Sequence, residues 1–175
     1  MLYFLLMIKE ERLAVNELDP IDVQILDLLQ HDGRMAHVDL AQRVGMAPPT
    51  VQRRVRLLEE RGYISGYAAR LNPIALGLTT TAFIFIEPSS GCDLEKLEAF
   101  LCALPGAQEL SRLIGEWCFL LKIRTRSPQS LEQLIYHDLR RHPDVRRTHS
   151  TLATSSALET TRLPLPEPAR TADEI

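Results

Sequence analysis

Between Ala47 and Gly62 the chain reads Pro48-Pro49-Thr50-Val51-Gln52-Arg53-Arg54-Val55-Arg56-Leu57-Leu58-Glu59-Glu60-Arg61. On a helical wheel at about 100° per residue, Val51, Val55 and Leu58 gather on one side. Pro49, Arg53, Arg56 and Glu60 point the other way, with Thr50 and Gln52 on the margins. An outward face carrying Arg and Gln near a helix N-terminus suits the major groove of duplex DNA. A guanidinium can bond guanine O6 and N7, a carboxamide can bond adenine, and the helix start can meet a phosphate. Arg54 falls on the flank of the wheel, where a phosphate contact or an intramolecular pair is expected and base readout is not. Arg34, just after the preceding helical stretch, is a weaker phosphate candidate. The plain alternative is a solvated arginine face on a generic three-helix bundle.

Charge distribution favours the first reading. Residues 40–61 hold five arginines against Glu59 and Glu60, whereas the whole chain has a formal net charge of −3. The balance excludes a general polyanion binder and leaves a local basic patch.

Catalytic chemistry finds no comparable pattern. The five histidines (His31, His37, His137, His142, His149) fall at no ligand spacing such as His-Glu-x-x-His, and no Gly-x-Ser-x-Gly elbow or phosphate-cradling glycine loop is present. Cys92, Cys102 and Cys118 are odd in number and widely spaced, so neither zinc nor a disulfide framework is expected. Reduced thiols in a cytoplasmic protein are the default. Cys118 with His137 or His149 would make a thiol–imidazole pair, but the run Trp117-Cys118-Phe119-Leu120-Leu121 marks it as a small buried hydrophobe. The expectation is a binding protein and not an enzyme, without metal or cofactor.

The arginine helix needs a scaffold, and residues 18–64 supply one. Asp19 is a helix N-cap with Pro20 at the first helical position. Ile21, Ile25, Leu28 and Leu29 follow at helical spacing up to Gly33. A second helix is predicted over 38–44, with Val38, Ala41 and Val44 on one face and Gly45 closing it. The third spans 48–61 and ends at Gly62. Short helices broken by glycine at this spacing are the pattern of a helix-turn-helix. Residues 65–78 read as a linker containing a strand, with Asn72-Pro73 a turn signal.

From Thr79 strands and helices alternate. Strands are predicted over 79–86, 107–114, 117–124 and 145–154, with Gly115-Glu116 a two-residue hairpin turn. Between them lie a helix capped by Asp93, with Leu94, Leu97, Leu101 and Leu104 apolar, and a helix from Ser127-Pro128 with Leu131, Leu134, Ile135 and Leu139 apolar. The fold class is α+β: a three-helix winged helix-turn-helix followed by a βαββαβ ferredoxin-like domain over 79–163.

A chain of 175 residues accommodates these two modules, of about 60 and 90 residues. The hydrophobic fraction of 45% and charged fraction of 25% exclude global disorder. The apolar start, Met1-Leu-Tyr-Phe-Leu-Leu-Met-Ile8, is far shorter than the about 20 residues of a membrane span and lacks signal-peptide flanks. Residues 1–17 are read as an N-terminal extension. The proline-rich stretch 164–175 is read as a disordered tail.

The chain resembles the leucine-responsive/asparagine-responsive (Lrp/AsnC) family of regulators. The resemblance covers about residues 18–165 and rests on Leu18-Asp19-x-x-Asp22-x-x-Ile25-Leu26, Asp32-Gly33-Arg34, Leu40-Ala41-x-x-Val44-Gly45, Arg53-Arg54-Val55-x-x-Leu58-Glu59-x-x-Gly62-x-Ile64 and Gly66-Tyr67. Ala103-Leu104-Pro105, Gly115 and Glu159-Thr160-Thr161-x-Leu163-Pro164 continue it. It implies a DNA-binding domain, a linking strand, and a domain that dimerises or assembles further and senses an amino acid or other small molecule. By position, Pro49, Thr50, Gln52, Arg53 and Arg56 would face DNA. The corresponding effector set is Ser111, Leu113, Gly115, Glu116, Trp117, Cys118, Thr148 and Ser150.

Two departures stand out. The family's Gly-Asp-Tyr-Asp is here Gly115-Glu116-Trp117-Cys118, and a neutral thiol cannot hold an ammonium group as a carboxylate does. Ala47 replaces the usual Ser cap of the third helix, at a cost of roughly 1 kcal/mol. A branch with the same double architecture decarboxylates haem precursors. That tetrapyrrole-binding alternative ranks below DNA binding because of the arginine-rich third helix.

Overall fold

The computed structural model describes residues 18–166. They divide into two compact units, one from residues 18–69 with 160–166, the other from residues 70–159.

The first unit contains α1 (Pro20–His31), α2 (His37–Val44) and α3 (Pro48–Glu60). α1 starts where the Asp19 carboxylate accepts the Asp22 N–H at 2.8 Å, with Pro20 in the first turn. α2 ends in a left-handed Gly45 (φ 68°), and the Met46 N–H bonds the Ala41 carbonyl at 3.0 Å, which turns the chain into α3. No side chain caps α3 at Ala47. Ile25, Leu40 and Val51, one from each helix, are fully buried together with Val55 and Leu58. Each such side chain stabilises the unit by about 1.5–3 kcal/mol.

The second unit contains β1 (Thr80–Pro88), α4 (Leu94–Cys102), β2 (Ala107–Arg112), β3 (Phe119–Thr125), α5 (Pro128–Leu134) and β4 (Val145–Ala153). The sheet order is β2-β3-β1-β4, antiparallel throughout. This is the expected ferredoxin-like arrangement. Period-two burial puts Ala82, Ile84 and Ile86 of β1 and Phe119, Leu121 and Ile123 of β3 in one core with Leu97 and Leu101 of α4 and Leu131, Leu134 and Leu139 beyond. The other face of the sheet is left to half-buried Phe83, Phe85 and Leu120. Asp93 caps α4 by accepting the Glu95 and Lys96 N–H groups, and Ser127 caps α5 by accepting that of Ser130. At Gly106 the chain passes so close to β3 that a Cβ would lie 2.0 Å from the Arg124 carbonyl oxygen.

Several local expectations are corrected. Val38 is 64% exposed, and Leu40 takes its place in the core beside Ala41 and Val44. Leu94 is likewise exposed, because α4 begins there with its first turn turned outward. Residues 65–78 form no strand, since no neighbour among the described residues offers the ladder a strand requires. The two-residue turn at Gly115-Glu116 is replaced by a longer loop. The Leu113 N–H bonds the Cys118 carbonyl at 2.7 Å, and residues 114–117 bulge beyond it with Ile114 fully exposed. In the stretch read as a disordered tail, Leu165 packs against the helical core. Residues 1–17 and 167–175 lie outside the described residues.

Candidate DNA interface and ligand groove

α3 presents Pro49, Thr50, Gln52, Arg53 and Arg56 to solvent, while Val51, Val55 and Leu58 face inward. The wheel read from the sequence is therefore the geometry of the helix. Arg53 makes no ion pair among the described residues. Arg56 Nε donates to Glu60 Oε1 at 2.8 Å one turn on, with the Arg56 side chain 78% exposed. An exposed pair of this spacing stabilises by only about 0.3–0.5 kcal/mol, so the guanidinium is readily drawn to a phosphate.

Arg54 departs from the candidate DNA set. Its Nη1 lies 2.5 Å from Asp19 Oδ2 and 2.7 Å from Asp22 Oδ1, so its charge is consumed in pinning α3 to the start of α1. Burial opposes ionisation of Asp19. The Asp22 N–H and the Arg54 guanidinium outweigh it and hold the carboxyl below its usual range. Asp22 was legible as part of a family pattern but not as a partner of Arg54. Arg34 sits just after α1 with its side chain exposed; its backbone N–H bonds the Asp32 carboxylate at 2.9 Å. Glu59 is turned away from the arginine face and accepts the Tyr67 hydroxyl at 2.9 Å. Burial first, and then the hydrogen bond to Glu59 and its charge, push the pKa of that hydroxyl up to about 12.

The eight effector candidates do not converge within one chain. Thr148 and Ser150 sit on β4 opposite Ile86 and Ile84, on the helix-covered face. They line a groove of about 400 Å³ with Leu131, Ile135, Tyr136 and Leu152, bordered by Glu132 and Arg140. The Thr148 hydroxyl is buried there with no hydrogen-bond partner among the described residues. Ser111 pairs with Leu120 and so belongs to the other face. Trp117 also turns to that face, with its ring 6.0 Å from Phe85 and 6.2 Å from His149 and the Arg147 guanidinium 4.4 Å above it. Glu116 pairs with Arg147 at 2.8 Å. Leu113 and Gly115 stand at the loop, and Cys118 packs against the core as expected of a small hydrophobe.

Sequence reasoning missed Tyr136 and Arg140 as groove residues. After α5 the helix widens into a π turn, Ile135–Leu139, closed by the Arg140 N–H on the Ile135 carbonyl at 2.9 Å. A 3.6-residue period cannot anticipate that extra residue, and such turns recur at functional sites. Among the described residues there is no group of His, Cys, Asp and Glu able to hold a metal ion, and no helix is long and apolar enough to cross a membrane.

A family model for winged helix-turn-helix DNA-binding domains matches residues 18–65, and one for the Lrp/AsnC ligand-binding domain matches residues 81–163. The leucine-responsive regulatory protein of Salmonella typhimurium is 33% identical over 159 residues, covering 90% of this chain and 97% of the relative. A transcriptional regulator of Neisseria meningitidis solved with L-Met has a TM-score of 0.82 at 31% identity, over 85% of this chain and 97% of that one. The structure of Escherichia coli AsnC gives 0.77 at 25% identity, over 85% and 99%. A helix-turn-helix joined to a ligand-binding ferredoxin-like unit defines a DNA-binding transcriptional regulator with a small-molecule-responsive domain. The chain belongs to the Lrp/AsnC family.

Proposed function

We propose that this chain binds specific duplex sites in the cytoplasm by seating α3 in the major groove, and that it acts by binding and not by catalysis. Gln52 and Arg53 read base edges, Thr50 and the start of α3 around Pro49 meet the backbone, and Arg56 and Arg34 contact phosphates. The observation that carries this reading is the exposed α3 face, on which, among the described residues, Arg53 has no ion pair and Arg56 only a weak one. The chain works as a homodimer or larger assembly on a pseudo-palindromic site, since among the described residues Phe83, Phe85 and Leu120 stay partly exposed on the sheet face that no helix covers.

The effector is an amino acid or a similar small amphipathic molecule held in the groove beside Thr148 and Ser150. The apolar walls Leu131, Ile135 and Leu152 suit a hydrocarbon side chain. Glu132 and Arg140 carry the charges that complement an ammonium and a carboxylate, a role the hairpin cannot fill with Cys118. Leucine and methionine, which appear in the names of relatives, are the first compounds to test.

Footprinting of the purified full chain on fragmented genomic DNA recovers the site. A folded Arg53→Ala/Arg56→Ala variant then binds it more weakly and with a shallower salt dependence. Unchanged affinity and salt slope would overturn the assignment.

A further inference from the structure

The chain leaves the sheet unit after Glu159 and returns to the helical unit. Glu159 is held there by ion pairs to Lys122 and to Arg124, the latter at 2.6 Å. From residue 160 the chain runs along α1. The Leu163 N–H donates to Gln30 Oε1 at 2.6 Å, and the Leu163 carbonyl accepts from Gln30 Nε2 at 3.2 Å. One carboxamide thus satisfies both backbone polar groups of one residue, which is how an extended peptide is recognised without reference to its side chain. Arg162 reaches Asp27, one turn earlier on α1, at 3.4 Å.

Pro164 has no N–H to leave unpaired and biases Leu163 before it toward extended conformations. Leu165 then packs against the helical core. It also forms, with Pro20, Val23 and Leu28, the wall of a groove of about 780 Å³. The polar contacts fall at Asp27 and Gln30, three residues apart and so on one side of α1. Farther toward its start, α1 holds Arg54 of α3 through Asp19 and Asp22. α1 is therefore the element that both the returning segment and the arginine helix grip.

We propose that residues 160–165 are an integral strap of the DNA-binding unit. Leu163-Pro164-Leu165 of the same chain lies along α1, and it holds α1 in the position from which Asp19 and Asp22 anchor α3. This goes beyond the proposed DNA reading and does not depend on which bases α3 contacts.

Hydrogen exchange on the full-length protein tests it. The Leu163 amide is expected to exchange at least about tenfold more slowly than in an unstructured peptide, at a rate independent of protein concentration. In Gln30→Ala, the Leu163 amide and those of α1 speed up by about tenfold, while Ile84 and Leu121 are unchanged. Leu165→Ala, which leaves both hydrogen bonds available, gives a smaller rise at the same amides and serves if Gln30→Ala does not fold. An unprotected Leu163 in the parent protein, or variants that leave its rate unchanged, would overturn the proposal while leaving DNA binding by α3 intact. Protection that fades on dilution would assign this side of α1 to the strap of a second copy and equally overturn it.

Discussion

Arg54 Nη1 and Asp22 Oδ1 stand 2.7 Å apart, joining the third helix to the first with both side chains less than a third exposed. Arg54→Ala leaves a half-buried carboxylate pair without its cation. It should lower the stability of the helical unit by about 1–3 kcal/mol, read as a drop in the midpoint of urea unfolding. DNA affinity should fall only as far as the folded fraction falls. The pH dependence follows from Asp19, whose pKa is lowered in the folded chain. Its contribution is present above the usual carboxylate range and is lost as pH drops through the depressed value. Acid unfolding of Arg54→Ala should lose the share of that component that the guanidinium supplies and keep the share from the Asp22 N–H.

Arg53 and Arg56 differ in what they give up on binding. Arg53→Ala should weaken binding to the recovered site and, if the contact is to guanine, relax preference at one base pair by about 1–3 kcal/mol. Arg56→Ala should weaken all sequences alike and reduce the salt slope by about one. Electrophoretic titrations at several salt concentrations separate the two. An identical sequence profile for both variants would count against base readout by Arg53.

Thr148 presents inside the β4 groove a hydroxyl with no partner among the described residues. Thr148→Val keeps the shape and removes that group, so the ligand-free protein should be equally stable or more stable by about 1 kcal/mol. The thermal shift given by amino acids should shrink in the same variant. A variant that is less stable, yet shifts as the parent does, would place the ligand elsewhere.

Gly106 combines φ +83° with an approach that would set a Cβ 2.0 Å from the Arg124 carbonyl oxygen. Because the obstacle is backbone, Gly106→Ala should cost about 3 kcal/mol or more and detach the start of β2 from β3. Calorimetry of the full chain reads this directly, and a midpoint within a degree of the parent would refute it.

What the sequence disclosed was mostly local chemistry. Asp19 with Pro20, Gly45, Asp93 and Ser127 announce helix ends because the capping group lies within three residues of the groups it satisfies. The alternation in β1 and β3 likewise marks its own buried face. Legibility failed where a partner is remote or absent. Val38 fits a helical period as well as Leu40 does, and only the positions of α1 and α3 decide between them. The partners of Arg54 lie 32 and 35 residues away, so its flank position on the wheel left its role open. The loop at 114–117 is lengthened because Trp117 leaves the ladder for Phe85, a contact between strands not adjacent in sequence. The strap was hidden in a proline-rich composition that ordinarily signals disorder.

The clamp of Gln30 on Leu163 also has a temporal side. The two residues are separated by 133 positions, so a ribosome finishes α1, α2 and α3 long before it makes the segment that covers α1. Throughout elongation the nascent helical unit has Gln30 without Leu163 and its core without the packing of Leu165. A message cut short within the sheet would release a chain able to form its arginine helix yet missing the piece that lies along α1, which makes it a natural client for chaperones and proteases.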